Sequence, residues 1–369
     1  MEKTYRILAV NPGSTSTKIA LFDNDKEVFS KNISHSKEEL KDFREIQDQK
    51  DYRRLCVEKA MEENGYKLED VDVFVGRGGG LLALVGGTYK VTELLAEHAS
   101  RGMTGQHPAQ LASQICKYFG DKYGKPVFVV NPPDVDEFQE ISRVSGIKGI
   151  YRESHIHSLN QKEIALRYCA ANGVKYEDAN LVLCHLGGGI SVTAHCKGRM
   201  IDSNDIIKGS GPMTPTRAGD MPYVKVIELA YSGKYTQKEL TNKLNKNGGL
   251  LDHFGTDDAR DIEKMIAEGN KYAKTVYDGM IYAISKYVGA MSLALKGRVD
   301  AIILTGGLSY SKYLSDMVKE YVGWIAPVAV MPGEFEMEAL AAGALRVMTG
   351  EEEAKEYSGV PVWNGFEGE

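Results

Sequence analysis

Four hydroxyl residues in a row and then a lysine, Ser14, Thr15, Ser16, Thr17 and Lys18, stand in the stretch "NPGSTSTK" at residues 11–18. Apolar segments flank it at residues 7–10 and 19–22, and the Pro12-Gly13 step between them reads as the turn of a β-hairpin. A hairpin needs a tight turn; it needs neither four hydroxyls nor a cation. Backbone N–H groups in a glycine turn can converge into an anion-binding nest. The hydroxyls add donors, and Lys18 adds a point charge. Strand alternation puts Ser14, Ser16 and Lys18 on one face. Asn11 is suited to orient a phosphate oxygen or a metal-bound water. The chemistry these types share is the holding of a phosphate.

A second group repeats the plan. Residues 181–196 run apolar strand, triple glycine (Gly187, Gly188, Gly189), alternating strand, with His185 at the edge of the turn. Phosphoryl transfer also needs cations around the moving group. Arg77 in "FVGRGGG" and Arg217 in "GSGPMTPTRAGDMP" each lie among small residues that let a substrate approach. The competing reading for either arginine is a surface ion pair. His157 and His107 each stand at a helix start, where a lone histidine is more often structural than catalytic. Other nucleotide and nucleophile signatures are missing: no GxxxxGK[ST], no GxGxxG opening a helix after a strand, and no GxSxG. Phosphate would be handled by hairpin turns.

The elements that must carry these groups follow from periodicity. After the first hairpin comes a charged helical segment over about 37–64, then a buried strand into "GRGGGLL", a helix "HPAQLASQICKYFG", and a strand "KPVFVVNPPDVDEF". A helix over 154–172 precedes the second hairpin. The chain is then mainly helical to about 297, followed by a strand-turn-helix at "DAIILTGGLSYSKYL" and a last helix at "EFEMEALAAGALRVM". The two hairpins, half a chain apart and each followed by helices and another strand, read either as a duplicated α/β domain with a nucleotide cleft between the halves or as two unrelated hairpins. The junction is expected at 146–151. That gives one domain of residues 1–150 completed by the C-terminal helix 340–369, and a second of residues 151–339.

The bulk numbers fit a soluble globular protein long enough for two domains. The chain has 369 residues, of which 43% are hydrophobic and 26% charged, with net charge −6. That balance argues against a general nucleic-acid binder. Five scattered cysteines without a CxxC read as reduced thiols in a cytoplasmic protein. Cys184-His185 and His195-Cys196 read as strand residues on alternating faces rather than a zinc site. The start, "MEKTYRILAV", lacks a signal-peptide apolar run. The segment "MIYAISKYVGAMSLAL" (280–295) is too short and too charged to span a membrane. It reads as a buried helix, and the longer Tyr-rich helix 272–295 as intradomain core with an oligomer interface as the alternative.

Taken in order, "NPGSTSTK", "CHLGGG", "TRAGD" and "LTGG" resemble the acetokinase family of acetate and butyrate kinases, a branch of the actin/Hsp70/hexokinase-like, ribonuclease H-like fold. "RGGGLLALVGGTY" and "HSLNQKEIA" are more similar to the butyrate kinases within it. The resemblance covers about 1–348. It implies transfer of the γ-phosphoryl group of ATP to butanoate, reversibly and with Mg²⁺. It also implies a cytoplasmic homo-oligomer of two or more copies. Neighbouring acids (acetate, propionate, isobutyrate) are the near alternatives; a sugar kinase or a non-catalytic nucleotide-binding protein of the same fold are the distant ones. Carried over by motif, Asn11, Ser14, Ser16 and Lys18 would line the first phosphate loop, and His185, Gly187, Gly188 and Gly189 the second. Gly306 and Gly307 would lie against adenosine. Arg77 and Arg217 would hold the carboxylate and the transferring phosphoryl group, and His157 matches an active-site histidine. Glu336 or Glu338 would be associated with Mg²⁺. The chain departs from the pattern at Gly188, where acetate kinases carry asparagine, and at Asn131, where aspartate is frequent, which puts an acidic metal ligand there in doubt; Asp134 and Asp136 lie nearby at a different spacing. A fatty acid is already ionised at neutral pH and needs no general base, so the enzyme must chiefly bring two anions together.

Overall fold

A computed structural model describes residues 3–208 and 210–368. The chain forms two compact units. One holds the residues up to Asp136, Ser158–Asn160 and the chain from Phe335 onward; the other holds Glu137–His157 and Gln161–Glu334.

In the first unit a six-stranded mixed sheet is built from β1 (Arg6–Pro12), β2 (Ser16–Asp23), β3 (Lys26–Ser34), β4 (Val73–Gly76), β5 (Thr88–Lys90) and β6 (Val127–Val130), in the order β3-β2-β1-β4-β6-β5. Strand β1 pairs antiparallel with β2, Asn11 opposite Lys18, and parallel with β4. Both faces are covered, which is why the central strands read as unbroken apolar runs. Ile7, Ala9, Phe22, Val75 and Val130 pack with Met337, Leu340 and Ala344 of the helix Glu336–Thr349. Leu8, Val10, Ile19, Leu21 and Phe74 pack with Val57, Met61, Ile115 and Phe119 of the helices Lys50–Glu63 and Leu111–Tyr123.

In the second unit β7 (Asn180–Leu186), β8 (Ile190–Cys196), β9 (Arg199–Ser203), β10 (Ala301–Thr305) and β11 (Val328–Val330) make a sheet of order β9-β8-β7-β10-β11. An antiparallel three-strand meander followed by two parallel strands occurs in both sheets, in the same spatial order. The two hairpins noted in the sequence are therefore the same element of a duplicated α/β plan, with β5 added in the first copy. The long helix Lys271–Ala294 lays Tyr277, Met280, Ile281, Ile284 and Val288 into the core of this unit, so the core reading of that segment holds.

The unit boundaries fall elsewhere than the sequence places them. Residues just after 136 are tied to β9: Gln139 N–H and Ser142 Oγ both donate to the Ile201 carbonyl, and Glu137 accepts from Met200 N–H. Nor can a boundary cut the last helix at 340, because Met337 and Leu340 both serve the first core. The expected helix over 37–64 is interrupted. Glu45 and Asp48 form a capping box that starts a short 3₁₀ turn, Ile46–Gln49, ahead of Lys50–Glu63.

Gly343 shows how closely the last helix lies on β6. A Cβ there would come within 2.5 Å and 2.7 Å of the two Val130 methyl carbons. Gly343→Ala gains about 1 kcal/mol of helix propensity but overpacks a buried contact at a cost of about 1–3 kcal/mol. The variant is expected to lose about 1 kcal/mol in urea unfolding. Val130→Ala should cost less in that background than in the parent, and equal costs in the two backgrounds would refute the contact.

Candidate functional site

The residues singled out above fall into a group on each unit. In the first, the β1–β2 turn is closed by Gly13 N–H to the Ser16 carbonyl at 2.7 Å. Ser14 and Lys18 are exposed, Ser16 is half-buried, and Thr17 points inward. Thr17 Oγ1 meets His35 Nε2 at 2.8 Å and Arg53 Nη1 at 3.0 Å. Arg53 also donates from Nη1 to the Ser16 carbonyl (2.8 Å) and from Nη2 to the Ser14 carbonyl (3.3 Å). This guanidinium is fully buried, and burial lowers its pKa. It holds the turn's carbonyls from behind. Arg53 was not among the sequence candidates, although its signal was present: Arg53, Val57 and Ala60 share one helical stripe.

Beside the turn, Asn11 Nδ2 donates to Glu336 Oε2 at 2.9 Å, and Arg77 Nε lies 4.0 Å from Glu336 Oε1. Arg77 Nη1 reaches the Asn131 carbonyl at 3.4 Å, and the Arg77 backbone N–H donates to Val10. Burial lowers the Arg77 pKa, while Glu336 and Asp134 oppose that shift. Asn11, Arg77, Asn131 and Glu336 thus converge. Glu338, two positions on and about 200° around the helix from Glu336, points to a different side. Asn131 sits in the left-handed region, φ 39°. Its Oδ1 accepts the Gly87 N–H at 2.8 Å and its own N–H donates back to Gly87. Since that N–H must be met by oxygen, the amide nitrogen faces away from Gly87, and a nitrogen carrying two hydrogens is no metal ligand. Glu336 brings a carboxylate to this group, against Asn11 and Arg77.

On the second unit, the β7–β8 turn closes through Gly187 N–H to the Gly189 carbonyl at 3.1 Å. The Gly188 carbonyl is held by Thr214 Oγ1 (2.8 Å) and Thr216 Oγ1 (3.2 Å). A Cβ at Gly188 would meet nothing within 4 Å. A Cβ at Gly189 would stand 3.5 Å from His157 Cε1 and 3.9 Å from Arg217 Nε, so both groups flank that glycine. The His157 and His185 rings stack with centroids 3.9 Å apart and planes 16° apart. Burial lowers the His185 pKa to about 4, which keeps it neutral. Burial also lowers that of Arg217, against the pull of Asp205. Gly306, at φ 87°, lets β10 end against β7; a Cβ there would lie 2.4 Å from the Leu186 carbonyl oxygen.

Loop 214–217 is a wall between two openings of this unit. On one side Pro215 lines a cavity of about 740 Å³ with Gly187, Gly188, Gly307, Tyr310 and Glu334. On the other, Thr214 and Arg217 line one of about 720 Å³ with Ile190, Ile206, Met221 and Val226. The structure therefore collects Gly187, Gly188 and Gly307 on the first opening and Arg217 on the second, while Gly306 acts through packing. His107 caps a 3₁₀ turn beside the first group, where burial and the nearby Arg77 and Arg53 charges lower its pKa. Among the described residues no cluster of three or more His, Cys, Asp or Glu could hold a metal, and the cysteines are free thiols. No helix among them is long and apolar enough to cross a membrane.

Residues 149–323 match the family model described as the acetokinase family. The chain is 41% identical over 353 residues to butyrate kinase 2 of Clostridium acetobutylicum, covering 96% of this chain and 99% of that protein. It is 43% identical, with the same coverage, to the probable butyrate kinase 2 of Caldanaerobacter subterraneus subsp. tengcongensis. Among solved structures it is similar to the acetate kinase of Porphyromonas gingivalis (TM-score 0.75, 18% identity, 94% of this chain and 100% of that one). It is likewise similar to a propionate kinase of Francisella tularensis (TM-score 0.71, 17% identity, 92% and 98%). These structural likenesses show the actin/hexokinase-like α/β fold.

Asp134, near Arg77, provides a test of the first group's electrostatics. Its Oδ1 accepts from Leu81 N–H (3.1 Å) and Thr104 Oγ1 (2.8 Å), and its Oδ2 is buried without a partner among the described residues. Burial raises its pKa from 3.8 to about 6. A carboxyl raised in the folded state is most favourable below its unfolded pKa, and that stability is lost as pH rises through the folded value. Between pH 4 and pH 7, Asp134→Asn should therefore gain on the parent by about 1–3 kcal/mol in urea unfolding. A difference that is flat with pH would show Asp134 ionised throughout.

Proposed function

We propose that this chain, which belongs to the acetokinase family, catalyses the reversible reaction of ATP with butanoate to give ADP and butanoyl phosphate. The observation that carries the reading is loop 214–217. It divides a glycine-floored cavity suited to a nucleotide from an apolar groove that holds the Arg217 guanidinium, the pairing a short acyl chain with a carboxylate head requires. In the transfer, a carboxylate oxygen forms a bond to the γ-phosphorus as the bond to the bridging oxygen breaks, and ADP leaves with the electron pair. No proton moves, and no base is needed.

What the residues supply is position and charge. Exposed donors of the β1–β2 turn with Lys18, and the N–H groups of Gly188 and Gly189, would bind phosphate oxygens. Arg77 and Arg217 would offset the repulsion between carboxylate and phosphate. His157, stacked on neutral His185, would donate to an oxygen of the transferring group. The half-exposed Glu336 carboxylate beside Asn11 fits a Mg²⁺ counter-charge, which Asn131 does not. Mg²⁺, when bound, neutralises phosphate charge. A hydroxyl acceptor such as a sugar would need a base, and Asn131 presents an amide. The same reading places the protein in the cytoplasm, as a homo-oligomer.

Purified protein with Mg-ATP and butyrate should yield an acyl phosphate trapped by hydroxylamine. A kcat/KM series over acetate, propionate, butyrate and isobutyrate should peak at four carbons, with steps of roughly tenfold to a hundredfold. ATP binding without hydroxamate from any of these acids would make it a nucleotide-binding protein instead. Arg217→Ala and Arg77→Ala should each lower kcat/KM by roughly a thousandfold. Glu336→Gln should chiefly raise the Mg²⁺ concentration needed for half-maximal rate; an unchanged Mg²⁺ dependence would remove Glu336 from the cation site.

A further inference from the structure

We propose that Ser191, Gln161, His195 and Tyr176 form a tautomer lock that holds His157 as a neutral imidazole with its proton on Nε2. The proposal rests on the reading of His157 as an active-site donor and goes beyond it, assigning positioning roles to four residues outside the candidate site set.

The lock begins at a group that can only accept, the backbone carbonyl of Ser191. A side-chain nitrogen of Gln161 lies 3.2 Å from that oxygen and 2.7 Å from Ser191 Oγ. The amide must therefore face Ser191 with its nitrogen. Gln161 Oε1 then faces the other way, 3.0 Å from His195 Nε2, which has to donate. His195 is fully buried, and burial with the nearby Lys162 charge holds it neutral. Its Nδ1 is left with a lone pair, and the Tyr176 hydroxyl, 2.7 Å away, donates to it.

The other end follows the same logic. Ser191 Oγ receives a Gln161 N–H, and among the described residues the acceptor within reach of its own proton is His157 Nδ1. His157 Nδ1 stands 2.8 Å away. Nδ1 accepts, and the His157 proton resides on Nε2. An imidazolium would turn a second donor toward Ser191 and strip the serine proton of its acceptor.

Gln161, Ser191 and His195 have no solvent-accessible surface, so water cannot relax this assignment. The charges around the network agree with it. Arg217 lies across Gly189 from His157, the stacked His185 is held neutral by burial, and the Glu334 carboxylate stands on the far side of Gly187 with His185 Nε2. Farther in, Lys162 is paired with Glu137 at 2.9 Å. The ring plane is set by the His185 stack and the tautomer by the buried network. An N–H donor at Nε2 suits an oxygen anion, whereas the opposite tautomer would present a lone pair and repel one.

The test is long-range ¹⁵N NMR on the full chain labelled at its eight histidines, with the His157 signal assigned by its loss in His157→Gln. The resting protein should show His157 protonated at Nε2 only. Ser191→Ala should collapse that pattern toward exchange between tautomers. It should also lower kcat roughly tenfold to a hundredfold, with the KM for Mg-ATP changed by less than about twofold. Ser191→Thr, which keeps the hydroxyl, should restore both. A wild-type His157 protonated at Nδ1, or doubly protonated at neutral pH, overturns the proposal. So does a Ser191→Ala protein that keeps the Nε2 tautomer and full kcat. Should Ser191→Ala fail to fold, the wild-type spectrum still decides. That spectrum needs no substrate. A locked His157 in a protein that phosphorylates no acid would refute the proposed activity alone, and an active protein with the other tautomer would refute the lock alone.

Discussion

A turn that offers its N–H groups to an anion needs its carbonyl groups held from the opposite side, or the backbone turns over and presents oxygen instead. Both hairpins meet this constraint, with different chemistry. In the first, the buried Arg53 guanidinium takes the carbonyls of Ser14 and Ser16. In the second, the hydroxyls of Thr214 and Thr216 take that of Gly188. Hydrogen bonds from a charged donor contribute about 1.5–3 kcal/mol, and neutral ones about 1 kcal/mol. The exposed first turn, with no glycine run of its own, is thus the more firmly braced. The second turn obtains its rigidity from the loop that also carries Arg217, so the placement of the arginine and the shape of the glycine corner are coupled.

Much of this plan is legible in the residues. Alternation fixes both hairpins, since a one-residue slip would have put Lys18 into the core in place of Thr17. Arg77 and Arg217 announce themselves by glycine and small neighbours. What escapes is whatever depends on partners distant in sequence. Arg53 looks like one of many helix-surface charges until β2 is placed against it. The hydrogen bonds from residues 139 and 142 to Ile201 draw the boundary away from 150, and no local pattern reports them. Glu336 and Glu338 are equivalent in the sequence; the contacts with Asn11 and Arg77 separate them. Asn131 reads as a weakened acidic site, whereas its amide oxygen is committed to the Gly87 backbone.

The two sheets show how far a duplicated plan can diverge while keeping its strand order. The first copy gains an antiparallel edge strand, β5, which pairs with β6. The second surrounds its hairpin with a histidine-rich interior, in which His185 and His195 are both held neutral by burial. Arginines mark the first hairpin and its surroundings, where desolvation lowers the pKa values of Arg53 and Arg77.

The helix Glu336–Thr349 covers one face of a sheet whose first strand begins at Arg6. During synthesis that face, with Ile7, Ala9, Phe22, Val75 and Val130, emerges from the ribosome more than two hundred residues before its cover does. At ordinary translation rates the delay is on the order of 10–40 s. For all of that time the apolar face of the early strands is without the helix that covers it in the folded chain.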